Sequence, residues 1–300
     1  MSQLSAWMHA IRPRTLPLAL SSIITGSFIA AAENLFSWRV FLLAANTTIL
    51  LQILSNLAND YGDFTKGTDK GDRIGPKRMV ASGSVTPGQM ILAISLVTIL
   101  TFFSGISLIF IVTRDIGTPV KILFLLIGIG AVLAAIKYTV GRNPYGYHGL
   151  GDLFVFIFFG LVGVMGTCYL HTHQIKPDVI LPAASIGLLS AGVLNLNNMR
   201  DYDSDKLAMK KTMVVIMGRG NAKWYHLAII VGAIIAVIIY TILNYKSGFQ
   251  FLFIIPVLLL VPGIIKVFKY TQPVELNSEL RKLAMITLLF SVAFGLGLMI

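Results

Sequence analysis

The chain has 300 residues, of which 56% are hydrophobic and 12% charged, about half the charged share of an ordinary soluble domain. That composition excludes a water-soluble globular protein. The net charge of +11 invites a nucleic-acid reading, but its distribution is better explained by membrane topology.

Apolar runs of about 20 residues recur along the whole length, and about 1.5 Å of rise per residue carries each across hydrocarbon. Arg12-Pro13-Arg14 precedes the first run. No small-residue cleavage site follows it, so the run reads as a retained helix rather than a signal peptide. The pattern predicts nine spans, at 13–32, 39–60, 88–112, 118–139, 152–171, 178–200, 222–243, 249–268 and 282–300. The expected fold class is therefore an all-α, polytopic membrane protein forming a single integral-membrane domain. Of 24 Lys and Arg, only Arg39, Arg114, Lys121, Lys176 and Lys246 fall on one side. The other 19 mark the opposite side, with the N-terminus, as cytoplasmic. Long loops on that face only suggest that the chemistry happens there. Cys168 lies in an apolar segment as the single cysteine, which excludes an intrachain disulfide and suggests packing. His171 and His173 are expected at the outer interface.

The second span ends in Asn56-x-x-Asn59-Asp60-Tyr61-x-Asp63-x-x-x-Gly67-x-Asp69, and the sixth in Asn195-x-Asn197-Asn198-x-Arg200-Asp201-Tyr202-Asp203-x-Asp205. Asn56-Leu57-x-Asn59 recurs as Asn195-Leu196-x-Asn198, each followed by an Asp-Tyr pair. That faint repeat suggests two parallel four-helix units, about 13–139 and 152–268, with a ninth helix added. Asn56, Asn59, Asp60 and Asp63 fall at i, i+3, i+4 and i+7, one helix face. Asn198, Asp201 and Asp205 do the same. Carboxylates at a membrane boundary are costly. Hard oxygen ligands with Lys and Arg beside them suit Mg²⁺ holding a diphosphate. The plainer alternative is that these residues end helices and meet water; two matched clusters on one face weigh against it.

Several basic residues follow the clusters. Lys66, Arg78, Lys206 and Lys211 are the stronger candidates for phosphate, because they sit near the carboxylates or beside loop Gly or Thr; the rest serve topology. A third polar stretch follows the fourth span, Lys137-Tyr138-x-x-x-Arg142-x-Pro144-Tyr145-x-Tyr147-x-Gly149-x-Gly151-Asp152. Alone it would read as an interfacial aromatic belt. Beside a diphosphate site, its tyrosines suit stabilisation of a carbocation. No histidine pair accompanies the aspartates, so zinc is not supported. Nor is there a GxxxxGK[ST] loop or a G-x-S-x-G elbow. A transporter also carries intramembrane carboxylates, but near the midplane rather than gathered at one face.

The chain resembles the UbiA superfamily of intramembrane aromatic prenyltransferases. The resemblance rests on Asn59-Asp60-Tyr61-x-Asp63-x-x-x-Gly67-x-Asp69, Gly75-Pro76-x-Arg78, Tyr145-x-Tyr147-x-Gly149-x-Gly151-Asp152 and Asn198-x-Arg200-Asp201-x-x-x-Asp205-x-x-x-x-x-Lys211-Thr212. It covers nearly the whole chain and implies nine helices with active-site loops on the cytoplasmic face. The loop patterns are most similar to the branch acting on 1,4-dihydroxy-2-naphthoate. Asp63 and Asp69 are six residues apart, where the 4-hydroxybenzoate branch has a tighter motif. The family's Tyr-x-x-x-Lys stands here as Tyr138-x-x-x-Arg142.

The resemblance implies Mg²⁺ bound by Asn59, Asp60, Asp63, Asp69, Asp201 and Asp205, with Tyr138 and Arg142 joining the four central aspartates in catalysis. Asn56, Asn59, Lys66, Arg78, Asn198, Arg200, Lys206 and Lys211 would hold the diphosphate. Tyr145, Tyr147 and Asp152 would form the acceptor or carbocation region. The implied partners are a polyprenyl diphosphate, 1,4-dihydroxy-2-naphthoate and membrane lipid, with demethylmenaquinone as the product of decarboxylating prenyl transfer.

Overall fold

A computed structural model describes residues 2–68, 74–112 and 117–300. Among these residues there is no strand, and nine helices are long and apolar enough to cross a membrane. They run Gln3–Ala31, Trp38–Lys66, Pro87–Val112, Thr118–Lys137, Gly151–Thr172, Pro177–Arg200, Met213–Leu243, Gly248–Lys269 and Pro273–Met299. The chain is thus an integral, multi-pass membrane protein.

The number of spans matches the sequence expectation, but four boundaries differ, the second helix running past 60 to Lys66. The first span is broken into Gln3–Ile11 and Leu16–Ala31, because Arg12 adopts a left-handed conformation (φ 56°) and Pro13 follows. The seventh helix begins at Met213, capped by Thr212, and is broken at Gly218 (φ 79°, ψ 160°), where the expected loop lay. The ninth begins at Leu276 rather than 282, since Pro273–Glu275 makes a turn that leads into it.

The sixth span is the hub, with 72% of its apolar window buried against 11% for the fourth. Gly160 in the fifth span and Gly187 in the sixth permit closest approach: a Cβ on Gly187 would lie 2.8 Å from the Phe156 carbonyl oxygen. Small residues serve this purpose where no hydrophobic force separates helix from lipid. The fifth span carries a π-helical stretch, Phe156–Met165, at this contact. The main core joins Ile186, Leu189 and Leu196 to Ile230 and Val237 of the seventh span and Leu283 and Phe294 of the ninth. The third and fourth spans instead expose Leu92, Leu96, Phe103, Leu123 and Leu126, a surface that lipid would cover.

His171, in the last turn of the fifth span, is buried in the protein. It is 7% exposed, its Nε2 lies 3.0 Å from Ser27 Oγ, and its Nδ1 accepts the Ser37 N–H at 3.1 Å. A buried imidazole finds partners, and this one ties the first span to the fifth. Cys168 is a buried free thiol, as its apolar setting suggests.

Candidate active site

The second helix runs unbroken to Lys66, so Asn56, Asn59, Asp60 and Asp63 all lie on its last turns. It ends at Gly67 (φ 70°), where the Thr68 N–H reaches the Asp63 carbonyl and the Gly67 N–H that of Phe64, both at 3.0 Å. The sixth helix ends at Arg200, Asp201 forms the joint, and a short helix, Tyr202–Leu207, carries Asp205. This second motif closes in the same way. The Lys210 N–H reaches the Asp205 carbonyl at 2.8 Å and the Met209 N–H that of Lys206 at 3.2 Å, with Met209 left-handed (φ 53°). Both are Schellman closures. They pair Asp63 with Asp205 and Thr68 with Lys210, three residues out of register with the Asn56–Asn195 match.

The second closure turns Lys210 back into the protein. Its ammonium lies 3.5 Å from Asp63 Oδ1 and 3.8 Å from Asp205 Oδ1, and 5.2 Å from the centre of the Tyr147 ring. One buried cation therefore joins the two acidic motifs. Sequence reasoning favoured Lys206 and Lys211 for phosphate, and neither side chain lies between the carboxylates. Lys206 is exposed, 6.0 Å from the Tyr202 ring, and Lys211 is exposed and touches the site through its backbone N–H to the Tyr147 carbonyl. The usual sign of such a turn is glycine at the left-handed position; Met209 stands there instead, so nothing in the sequence marked it.

The four aspartates are 1–4% exposed, and each has a defined partner. Asp60 accepts the N–H groups of Met79 (2.9 Å) and Val80 (3.0 Å), one to each oxygen, and so fixes the loop before the third span. Asp63 Oδ2 binds Arg78 Nη2 at 2.5 Å, and its Oδ1 accepts the Tyr147 hydroxyl at 3.0 Å. Arg200 grips Asp201 through Nε (2.7 Å) and Nη2 (2.6 Å), and reaches Asn197 and Asn277 as well. Buried charges of this kind persist only when paired.

The tyrosine-rich stretch closes the site from the side. Gly62, between Asp60 and Asp63, lets the end of the fourth span approach, since a Cβ there would lie 2.7 Å from the Thr139 carbonyl carbon. Thr139 Oγ1 then binds the Ala58 carbonyl and Asn59 Oδ1, both at 3.1 Å. Burial raises the Tyr138 phenol above its ordinary pKa, with Asp152, Asp205, Asp63 and Asp201 adding to the effect; Tyr138 thus stands in the field of all four. Tyr145 meets Tyr138 edge-on at 5.4 Å, stacks on Phe154 at 4.0 Å, and donates to the Ala134 carbonyl. Burial, then Asp63, raises the Tyr147 phenol too. Asp152 accepts from the Tyr225 hydroxyl at 3.0 Å.

Other expected residues stand apart. Asn56 donates to the Ile11 carbonyl and Thr15 Oγ1, both at 2.9 Å, so its amide holds the break in the first span. Arg142 is exposed, and its carbonyl accepts from Lys66 Nζ at 3.2 Å. Asn198 is buried one turn before Asp201. Asp69 lies outside the described residues.

The donor set is all oxygen, without histidine or thiol, and suits Mg²⁺ by its chemistry. Among the described residues, no three His, Cys, Asp or Glu side chains now converge as a metal cluster. Arg78, Lys210 and Arg200 instead neutralise the carboxylates. The arrangement can bind a polyanion once those cations turn from the aspartates toward it.

The UbiA prenyltransferase family model matches residues 19–295. The 1,4-dihydroxy-2-naphthoate octaprenyltransferase of Escherichia coli (strain K12) is 41% identical over 297 residues, 99% of this chain and 96% of that protein. That of Haemophilus influenzae is 42% identical over 302 residues, 99% and 97% of the two chains. A solved UbiA homologue from Archaeoglobus fulgidus, bound to GPP and Mg²⁺, superposes with a TM-score of 0.65 at 15% identity, covering 98% of this chain and 99% of that one. It shares the fold.

Proposed function

The chain belongs to the UbiA prenyltransferase family, and on that premise we propose that it transfers a polyprenyl group from polyprenyl diphosphate to 1,4-dihydroxy-2-naphthoate. The carboxylate is lost as CO₂; acceptor and product both stay at the hydroquinone level, so the transfer gives the demethylmenaquinol, and demethylmenaquinone follows by a separate two-electron oxidation in menaquinone biosynthesis. The two naphthoate prenyltransferases, alike over nearly the whole length, support the acceptor. The observation that carries the chemistry is the meeting of both acidic motifs on the Lys210 ammonium.

Asn59, Asp60, Asp63, Asp201 and Asp205 are the residues that would hold Mg²⁺. When bound, the ion neutralises the donor diphosphate and stabilises it as a leaving group. Arg78 and Lys210, between the carboxylates, take up negative charge as the allylic C–O bond breaks. Arg78 offers two parallel donors to phosphate oxygens, whereas Lys210 acts as a point charge. The faces of Tyr138, Tyr145 and Tyr147 steady the allylic cation and keep water from it. The electron-rich ring attacks that carbon, a C–C bond forms, and the carboxylate departs. The prenyl tail lies in lipid-facing apolar surface.

The excess of Lys and Arg on the acidic-motif face supports a cytoplasmic orientation of the N-terminus and these loops in the inner membrane. The matched Schellman closures support two parallel four-helix units within one domain. Purified protein given donor, acceptor and Mg²⁺ should release diphosphate, and omission of any one should stop it. Release independent of the acceptor or of Mg²⁺ would overturn this reading, and a transporter would release none.

A further inference from the structure

Among the described residues, the buried carboxylates are Asp60, Asp63, Asp152, Asp201, Asp205 and Glu279. All but Asp152 are met by a cation or by backbone N–H groups. Asp60 holds the loop at Met79 and Val80, Asp63 faces Arg78 and Lys210, Asp201 faces Arg200, Asp205 faces Lys210, and Glu279 faces Lys282. Asp152 instead accepts the Tyr225 hydroxyl at its Oδ2, at 3.0 Å, and no other described side chain bonds to it. The seventh span thus gives this carboxylate a neutral partner and leaves its Oδ1 to a ligand. A buried charge held in this way costs stability, so packing does not account for it.

Asp152 stands beside the tyrosines of the site. A Cβ on its neighbour Gly151 would lie 3.1 Å from Tyr138 Cε2 and 3.4 Å from the Tyr138 hydroxyl oxygen. The phenol of Tyr138 therefore rests against the first turn of the fifth span. Two residues beyond Asp152, Phe154 stacks on Tyr145, which meets Tyr138 edge-on. The titratable groups that face Asp152 are the phenols of Tyr225, from the seventh span, and Tyr138, from the end of the fourth. The sixth span brings the apolar Leu194 to the same turn. A carboxylate paired with a cation has its charge engaged, whereas one held by phenols is free to exchange a proton with a ligand.

The decarboxylating transfer needs such a group. The ring carbon that bears the carboxylate attacks the allylic carbon, and the electron pair of the broken C–O bond leaves with the diphosphate. The neighbouring ring hydroxyl becomes a ketone and gives up its proton. The bond to CO₂ then breaks, its electron pair returns to the ring, and the ketone oxygen becomes an anion that takes the proton back. No proton is gained or lost overall, and the product is a hydroquinone. We infer that Asp152 is the base of this cycle, taking the hydroxyl proton on Oδ1 and returning it to the same oxygen, with Tyr225 as its positioning residue. This rests on the naphthoate prenyl transfer proposed above.

The test uses the purified full chain without oxygen, with polyprenyl diphosphate, 1,4-dihydroxy-2-naphthoate and Mg²⁺. Asp152→Asn keeps an oxygen for Tyr225 and removes the base. Its kcat should fall by about 10²–10⁴, with KM for the donor and the Mg²⁺ requirement unchanged. A phenol ionises unaided at about pH 10, so the variant's rate should climb roughly tenfold per unit between about pH 7 and 9, while the wild-type rate stays level. Tyr225→Phe keeps the base but loosens its orientation, so kcat should fall roughly tenfold with the level pH profile retained. If Asp152→Asn does not fold, Tyr225→Phe carries the test, and an unchanged kcat there overturns the inference. An Asp152→Asn protein with wild-type kcat, one whose loss is reversed by raised Mg²⁺, or one whose loss is the same at every pH overturns the inference and leaves the proposed function standing. A wild type that forms no product overturns both.

Discussion

Replacing Lys210 by methionine keeps the length of the side chain and removes its charge. The lysine side chain is 8% exposed, and the carboxylates of Asp63 and Asp205 that face it are 2% and 4% exposed. Without the ammonium, two buried anions confront each other with less compensation. Removing one partner of a buried ion pair costs about 3–5 kcal/mol, and Arg78 on the far side of Asp63 keeps the expected loss at the lower end, about 3 kcal/mol. A divalent cation held by the same carboxylates opposes that loss. Binding to the native state alone adds about 2.7 kcal/mol at a hundredfold excess over Kd. The Lys210→Met protein should therefore unfold well below wild type in EDTA and recover most of the difference in saturating Mg²⁺. The wild type should gain less, because there the ammonium already occupies the ground between the carboxylates. Thermal unfolding of purified protein in detergent, with EDTA or Mg²⁺, reads both effects. A variant as stable as wild type in EDTA, or one indifferent to Mg²⁺, would refute the assignment of a shared cation site.

Asp201→Asn should abolish turnover while the protein remains folded in the membrane, and full activity would remove Asp201 from the metal set. Asp60→Asn should also lose turnover but with a fall in stability, because an amide can accept only one of the two loop N–H groups that Asp60 now binds; the expected loss is about 1–3 kcal/mol. Tyr147→Phe deletes the hydroxyl between Asp63 and Thr68. A hydrogen bond to a charged group contributes about 1.5–3 kcal/mol, so kcat/KM should fall by roughly one to two orders of magnitude, and an unchanged value would make that contact incidental. Burial raises the phenols of Tyr138, Tyr145 and Tyr147. The native state keeps these protons after the unfolded chain has lost its own, near pH 10, so stability should decline as pH rises through that value. A pH series of melting temperatures that stays level from pH 9 to 11 would contradict this.

Spans and acidic motifs were legible in the sequence because each depends on short-range information. Hydropathy alone places nine helices, and the i, i+3, i+4, i+7 spacing puts Asn59, Asp60 and Asp63 on one surface. The choice among lysines was not legible. Lys206, Lys210 and Lys211 are near neighbours in the chain, and only the left-handed turn at Met209 decides which of them points inward. The cap at Gly67 had its glycine in view, whereas its counterpart did not. Asn56 shares a face with the aspartates, yet the chain turn at Arg12, some forty residues earlier, takes up its amide. Such pairings depend on tertiary contact, which periodicity does not encode. The helix Gln3–Ile11 was missed for a related reason. Its apolar residues are too few for a span, and its buried face of Ala6 and Ala10 makes sense only against the second helix and the loop that Asp60 holds.

The identity of the product tests the central claim most directly. Purified protein in detergent or nanodiscs receives a polyprenyl diphosphate and Mg²⁺, with 1,4-dihydroxy-2-naphthoate in one reaction and 4-hydroxybenzoate in another, and products are followed by mass. A prenylated, decarboxylated naphthohydroquinone, or the quinone that air oxidation makes of it, formed only from the naphthoate is the predicted result. Product formed only from the benzoate, or from neither acceptor in protein that binds the donor, would contradict it.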